Sequence, residues 1–267
     1  MKGMITIMKK KLYFGTNLKM YKNIKMTTDY LQALINHTRD ISFDEITLFV
    51  IPSFTSLNSA VKAAERSTLM VGAQDMCWED SGQFTGEISP LMLKELGLDL
   101  VMIGHSERRH IFKETDVIEN KKVNAALNHG FTTLLCIGET KEEKDFGISS
   151  ERLRIQLKVG LYGVTAALLP KIWIAYEPVW SIGVNGTPAS PEYAEEMHKI
   201  IKSTLKEQFG AESEKIPVLY GGSVNPLNAR QLITSPSIDG LFVGRSAWEA
   251  DAFQDLIRDS ISAYSSS

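Results

Sequence analysis

Five polar residues come directly after short apolar runs, where a buried strand would end: Asn17, Lys19, His105, Glu107 and Glu177. A carboxylate and an imidazole are the groups most often used to move protons near neutral pH. A nearby lysine supplies fixed positive charge that stabilises an oxyanion. Taken singly, each residue would be interpreted as a solvated loop carboxylate, a structural histidine or a surface group. Their shared placement instead favours a proton-transfer site.

Two glycine-containing turns follow later apolar runs. Gly222 and Ser223 stand in the first turn, and Gly244 and Arg245 in the second. Backbone N–H groups in such turns bind phosphate, and the sequence has neither a GxxxxGK[ST] motif nor a GxGxxG after a strand that would bind it instead. The sequence therefore predicts a backbone phosphate site at these two turns, with Gly183 contributing an amide from an earlier loop.

The elements that must position these residues are eight short apolar runs, most of them followed by a segment of helical periodicity. Each run is nearly continuous in apolar character, which is typical of parallel strands buried on both faces. The predicted strands are 11–17, 46–52, 69–74, 100–104, 132–138, 172–177, 216–221 and 238–244. The predicted helices are 28–38, 56–65, 116–128, 151–161, 191–208 and 225–233.

This alternation favours an α/β chain folded as one domain over residues 1–267, since no linker or composition shift interrupts it. Eight such units close naturally into a (β/α)₈ barrel, although an open doubly wound sheet stays compatible with the pattern alone. We expect residues 1–10 to form a leader before the first strand and residues 265–267 a tail. Active sites of barrels lie at the carboxyl ends of the strands, where the candidate residues are found.

Composition excludes several classes of function. The 267 residues include 29 Lys and Arg against 32 Asp and Glu, a net charge of −3, so nucleic acid is not an expected partner. No apolar run reaches the roughly 18 residues of a membrane span. The two cysteines, Cys77 and Cys136, lack the spacing of a zinc site or a disulfide framework. We therefore expect a cytoplasmic protein without metal or cofactor.

Six short motifs spread along the chain carry a resemblance to a known family. They are GTNLKM (15–20), FTGEIS (84–89), IGHSERR (103–109), AYEPVWSIG (175–183), YGGSV (220–224) and IDGLFVG (238–244). In this order they resemble the triosephosphate isomerase family over nearly the whole chain. The resemblance implies a TIM barrel that isomerises a small phosphorylated sugar. The family's reaction interconverts dihydroxyacetone phosphate and glyceraldehyde 3-phosphate through an enediolate, as in glycolysis and gluconeogenesis.

The resemblance also implies a role for each candidate residue. Glu177 would move the proton between adjacent carbons, and partial desolvation at the barrel mouth would suit it to that role. His105 would polarise the substrate oxygens as a neutral imidazole. Lys19 would supply positive charge with Asn17 hydrogen-bonding nearby, and Glu107 would pair with Lys19.

Two loops gain expected roles from the same resemblance. Residues 178–188 correspond to a lid that closes over the substrate and excludes water. Residues 83–89 correspond to a loop that reaches into a neighbouring subunit. The chain is therefore expected to form a homodimer through residues 83–89, with Thr85 at the interface.

Three departures from the family pattern fall on the site. Residues 181–190 read SIGVNGTPAS, whereas the family has close to AIGTGKTAT. Arg245 replaces a glycine, and Leu18 stands where tryptophan is common. The guanidinium of Arg245 would add a planar charged donor to the phosphate turn. Alternatively, it would point outward and pair with a surface carboxylate such as Glu249.

The lid and the Arg245 turn together resemble a branch of the family that acts on erythrulose 1-phosphate, a four-carbon ketose phosphate. The three-carbon and four-carbon substrates both stay open, because the same base can shift the carbonyl between the same two carbons. A third alternative is a non-catalytic barrel that only binds phosphate. It is disfavoured because packing does not require the combination of Asn17, Lys19, His105 and Glu177.

Overall fold

Eight parallel strands form a closed barrel in the order β1 to β8 in a computed structural model that describes residues 10–183 and 186–266. Strand β1 pairs with β2 on one side and with β8 on the other, where Tyr13 faces Gly240 and Thr16 faces Val243. The closed barrel confirms the (β/α)₈ prediction and excludes the open sheet. The strands are β1 (Leu12–Asn17), β2 (Ile46–Ile51), β3 (Met70–Ala73), β4 (Leu100–Ile103), β5 (Thr132–Ile137), β6 (Ile172–Tyr176), β7 (Val218–Tyr220) and β8 (Gly240–Val243).

Ten α-helices lie within the described ranges. They are α1 (Ile24–Thr38), α2 (Leu57–Ala64), α3 (Pro90–Glu95), α4 (Ser106–His110), α5 (Asp116–Asn128), α6 (Lys141–Asp145), α7 (Ser149–Gly160), α8 (Pro191–Phe209), α9 (Ala229–Thr234) and α10 (Ala250–Ser265). Short 3₁₀ turns at Val179–Ser181 and Arg245–Ala247 follow β6 and β8.

The six predicted helices all form; the one predicted over 116–128 has the predicted ends, and the other five are shifted at one or both ends. Helix α1 begins four residues before the predicted start because Asn23 caps it, accepting a hydrogen bond from the backbone N–H of Met26 at 2.9 Å. Helices α3, α4, α6 and α10 lie outside the predictions. The predicted tail is also wrong at Ser265, which ends α10. The predicted leader lies outside the described residues except for Lys10, which donates to the carbonyl of Ile238 at 2.7 Å.

Alternate strand residues pack inside the barrel, and the intervening ones pack against the helices. The interior cluster holds bulky side chains such as Phe49, Trp173 and Phe242. The ring of Phe49, on β2, lies against Gly15 of β1. A side chain at Gly15 would overlap this ring. The filled interior fixes the strand ends from which the site is built. No helix within the described residues is long and apolar enough to span a membrane.

Candidate active site

A cavity of about 270 Å³ opens at the carboxyl ends of the strands. We call the residues at the ends of β1, β4 and β6, from Asn17 to Lys19, His105 to Glu107 and Glu177, the proton-transfer half, and those of the lid and of the turns after β7 and β8 the phosphate half. Nine of the ten predicted site residues line the cavity. They are Asn17, Lys19, His105 and Glu177 in the proton-transfer half, and Gly183, Gly222, Ser223, Gly244 and Arg245 in the phosphate half.

The tenth predicted site residue, Glu107, holds one of these lining residues. Its Oε1 lies 2.7 Å from the ammonium of Lys19. Among the described residues, no group of three His, Cys, Asp or Glu side chains is placed to hold a metal ion.

Glu177 and His105 face each other at the cavity floor and are 3% and 4% exposed. Oε1 of Glu177 lies 3.4 Å from Nε2 of His105. Oε2 accepts a hydrogen bond from the backbone N–H of Ser106 at 3.2 Å. The carboxylate is thus oriented by the start of α4, and a carboxylate beside an imidazole can pass a proton to and from a substrate between them.

The hydrogen bonds of His105 assign its tautomer. The backbone N–H of Glu107 donates to Nδ1 at 3.2 Å, so Nδ1 acts as an acceptor and the ring proton belongs on Nε2. His105 is also the N-cap of α4. Its Nε2 faces Oε1 of Glu177 and the cavity.

The turn that carries Lys19 has a left-handed backbone, with φ of 51° at Lys19 itself. Such a conformation costs about 1–2 kcal/mol for a residue with a side chain, so it needs support. The backbone N–H of Lys19 donates to Oδ1 of Asn17 at 2.8 Å. Nε2 of Gln74 donates to the carbonyl of Lys19 at 2.8 Å and to Oδ1 of Asn17 at 3.1 Å.

These bonds also orient the Asn17 side chain. Because Oδ1 accepts from Lys19 and Gln74, the amide nitrogen is left as a donor on a residue that lines the cavity, and it makes no hydrogen bond to another described residue. Sequence analysis misses Gln74, although it ends the predicted third strand and that position was a usable signal. It also misses Trp248, whose indole donates to the carbonyl of Asn17 at 3.0 Å.

The phosphate half is built mainly from backbone. A side chain at Gly222 would overlap the hydroxyl of Tyr220 and approach Oγ of Ser181 to 2.7 Å, so only glycine fits. Gly183 has φ of 92°, which favours glycine. A cavity edge without side chains lets backbone N–H groups approach an anion closely.

Arg245 is the exception in this half. It is exposed and lines the cavity, and its side chain makes no hydrogen bond or ion pair with another described residue. The alternative pairing of Arg245 with Glu249 is wrong in this structure, because Glu249 lies 3.4 Å from the ammonium of Lys22 instead. The guanidinium of Arg245 is therefore available to a ligand.

The lid is anchored at its start by a buried carboxylate that sequence analysis misses. Glu139 is fully buried and accepts hydrogen bonds from the indole of Trp180 at 2.8 Å and the hydroxyl of Tyr193 at 2.9 Å. Burial raises the pKa of Glu139. Ser181 donates to the carbonyl of Pro178 at 2.8 Å. Val184 and Asn185 of the predicted lid lie outside the described residues.

Comparisons with known proteins show to which family the chain is similar. The family model described as triosephosphate isomerase matches residues 12–260. L-erythrulose-1-phosphate isomerase of Rhizobium etli is 47% identical over 92% of this chain and 91% of its own length. Triosephosphate isomerase of Carboxydothermus hydrogenoformans is 40% identical over 94% and 100%. The crystal structure of triosephosphate isomerase from Bartonella henselae superposes with a TM-score of 0.84 at 32% identity, covering 93% of this chain and 98% of that one.

Proposed function

Because this chain belongs to the triosephosphate isomerase family, as a ketose-phosphate isomerase, we propose that its substrate is L-erythrulose 1-phosphate. The observation that carries the proposal is Arg245, a charged side chain at the cavity where the family pattern has glycine and where no described residue engages it. The relative from Rhizobium etli that bears this activity in its name supports the same choice.

The chemistry of the four-carbon substrate follows from that of the three-carbon one. L-erythrulose 1-phosphate is dihydroxyacetone phosphate with a hydroxymethyl group on the carbon remote from phosphate. A base removes the proton from C3, beside the C2 carbonyl, and an enediolate forms. The carbon proton then returns to C2, and the proton of the C3 hydroxyl passes to the C2 oxygen, so the carbonyl moves to C3 and C2 becomes a secondary alcohol. The product is erythrulose 4-phosphate, and no atom is gained or lost.

We assign the carbon-to-carbon proton transfer to Glu177. Its carboxylate is buried, and the backbone N–H of Ser106 fixes one oxygen, so the other is left for the substrate. His105 donates its Nε2 proton to the substrate oxygens and recovers it as the carbonyl moves. This role uses the neutral tautomer that the bond from Glu107 to Nδ1 favours.

Lys19 and Asn17 stabilise the enediolate. The Lys19 ammonium provides the countercharge, and the free amide nitrogen of Asn17 donates a hydrogen bond to a substrate oxygen. Glu107 holds the ammonium at 2.7 Å, so the charge is in place before the substrate binds. Groups that are ordered in advance stabilise a developing negative charge without reorganising during the reaction.

Phosphate binds to the backbone of the phosphate half at Gly183, Gly222, Ser223 and Gly244, with Arg245 as an added charged donor. A guanidinium matches phosphate with two parallel donors, so it restrains the orientation of the phosphate as well as attracting its charge. A fixed phosphate positions the rest of a longer sugar more tightly. This is how Arg245 would favour a substrate that carries an additional hydroxymethyl group.

Dihydroxyacetone phosphate is the second candidate substrate, and one observation favours it. The cavity of about 270 Å³ is small even for a small-molecule site, which suits the three-carbon sugar. The proton-transfer half does not discriminate between the two substrates, because its groups act on the two carbons that both share.

A direct comparison of kcat/KM decides between the substrates. L-erythrulose 1-phosphate and glyceraldehyde 3-phosphate are assayed on one preparation, with Glu177→Gln protein as the control for contaminating isomerase. A higher kcat/KM for L-erythrulose 1-phosphate supports the proposal. A higher value for glyceraldehyde 3-phosphate overturns it in favour of the three-carbon reaction.

We also propose a homodimer formed through residues 83–89 and a cytoplasmic location. Thr85 is exposed in the single chain, and the neighbouring aromatic ring of Phe84 is 38% exposed, as befits a loop that a second subunit covers. Cys77 and Cys136 are buried free thiols, which suits a reducing compartment.

A further inference from the structure

Trp248 stands between the two halves of the cavity. It follows the 3₁₀ turn Arg245–Ala247 of the phosphate half, and its ring lines the cavity. Its indole N–H donates to the carbonyl of Asn17 at 3.0 Å, across 231 residues of sequence. One side chain therefore joins the turn of Arg245 to the turn of Asn17 and Lys19.

The barrel ladder explains why the Asn17 carbonyl needs this donor. Pairing of β1 with β8 ends at Thr16 and Val243, one residue before Asn17. On the other side, the backbone N–H of Leu18 donates to the carbonyl of Ile51 at 2.9 Å. The Asn17 carbonyl thus lies just past the last β8 partner, and the indole N–H takes the place of the next strand donor.

Other contacts also reach the segment that carries Trp248. The buried hydroxyl of Tyr30, on α1, donates to the carbonyl of Ala247 at 2.6 Å. The ring of Tyr21 lies 4.4 Å from the ring of Trp248. Of these three contacts between described residues, only the indole bond reaches the backbone of a residue assigned to the reaction. Tyr30 therefore serves as a reference for contacts that anchor the phosphate turn alone.

We propose that Trp248 is a positioning residue for the isomerisation, acting through Asn17. By fixing the Asn17 carbonyl, the indole sets the start of the left-handed turn that aims the Asn17 amide and the Lys19 ammonium. It also ties this turn to the Gly244–Arg245 backbone, so that phosphate binding and placement of the proton-transfer groups share one support. The proposal rests on the assigned role of Asn17 and holds for either ketose phosphate.

The test is a double-mutant cycle measured with whichever substrate has the higher kcat/KM. Trp248→Phe keeps a ring and removes the N–H. We expect kcat to fall about tenfold with KM changed less than about threefold, because the bond orients groups that act in the transition state. We expect the double variant Trp248→Phe/Asn17→Ala to be no slower than Asn17→Ala alone, since the indole acts through Asn17.

The matched control is Tyr30→Phe, which removes a hydrogen bond to the same turn without touching Asn17. It should lower the melting temperature and leave kcat unchanged. Wild-type kcat in folded Trp248→Phe protein would overturn the proposal. So would fully additive losses in the double variant, because they mean that Trp248 acts independently of Asn17. If the wild-type protein prefers glyceraldehyde 3-phosphate, the four-carbon proposal is wrong, but the proposal for Trp248 is unaffected.

Discussion

The two halves of the cavity are held in different ways. In the proton-transfer half, hydrogen bonds link the functional side chains to one another or to neighbouring backbone, as in Lys19 with Glu107 and Glu177 with Ser106. The phosphate half presents backbone around glycines, and its one charged side chain, Arg245, has no described partner. A substitution in the proton-transfer half therefore breaks hydrogen bonds to neighbouring residues. Substituting Arg245 in the phosphate half breaks no side-chain hydrogen bond to a described residue.

This difference has an energetic cause. Removing one member of a buried network leaves its partner without a hydrogen bond, which costs about 1–3 kcal/mol beyond the lost contact. Replacing Arg245 leaves no described group unpaired. A change of substrate contacts at Arg245 therefore breaks fewer hydrogen bonds between described residues than a change in the proton-transfer half.

The strongest test of the proton-transfer half is Glu177→Gln. The amide keeps the shape of the side chain but cannot accept a proton, so we expect kcat to fall by about 10²-fold to 10⁴-fold on both substrates. The measurement is steady-state kinetics of purified protein, with circular dichroism to establish that the fold is intact. Near wild-type turnover would show that the base lies elsewhere.

The phosphate half is tested by Arg245→Gly, which restores the family residue. If the guanidinium binds phosphate or restrains the lid, a charged hydrogen bond worth about 1.5–3 kcal/mol is lost, so kcat/KM for L-erythrulose 1-phosphate falls by about 10-fold to 100-fold. Turnover of glyceraldehyde 3-phosphate should suffer less. Equal losses of kcat/KM on both substrates would mean that Arg245 binds phosphate without selecting the sugar. No loss on either substrate would mean that Arg245 does not contact the substrate.

The barrel could be predicted from the sequence because its signal is repeated. Eight apolar runs at regular spacing reinforce one another, so an error at one strand end does not change the architecture. Short helices carry no such redundancy. Helix α4 has five residues, three of them basic, and helical propensity alone does not indicate it. Helix α10 is different, because Phe253, Leu256 and Ile257 form an apolar face that the sequence does display.

The site was predictable where residue type and strand-end position coincide, as at Glu177 and His105. Gln74 also stands at the end of a predicted strand, but an amide indicates catalysis less strongly than a carboxylate or an imidazole. Trp248 and Glu139 could not be found this way, because their importance comes from partners that are distant in sequence. Trp248 bonds to Asn17 and Glu139 to Trp180, and only the folded barrel brings each pair together.

In the proposed homodimer, the partner subunit would approach the proton-transfer half of the cavity. Loop 83–89 is expected to approach the Asn17 and Lys19 side of the neighbouring site, so Thr85→Asp should weaken the dimer and lower activity together. We expect a dimer dissociation constant about tenfold higher, because an unpaired carboxylate is buried at the interface. Light scattering and assay over a dilution series measure both. A fully active wild-type monomer below micromolar concentration would contradict the dimer.

The last prediction concerns the stability of the protein rather than its activity, through a histidine behind the phosphate half. His198, on α8, is fully buried, and its ring lies 5.7 Å from that of Tyr176 and 6.1 Å from that of Tyr220, at the ends of β6 and β7. Burial lowers the pKa of His198 to about 3. Its Nδ1 lies 3.3 Å from the carbonyl of Ser237. The folded protein therefore holds this imidazole neutral over the range in which an unfolded chain would protonate it.

The sign of the pH effect follows from that difference. Above about pH 6.5 the imidazole is neutral in both states, and stability does not depend on it. As the pH falls from 6.5 toward 3, only the unfolded chain gains the proton, so the free energy of unfolding decreases, by about 2 kcal/mol at pH 5. His198→Gln should remove this part of the loss between pH 7 and pH 5, measured by urea unfolding at one fixed protein concentration. Between pH 7 and pH 8 the two proteins should change in parallel. If the variant loses as much stability between pH 7 and pH 5 as the wild type, the acid sensitivity of the protein comes from groups other than His198.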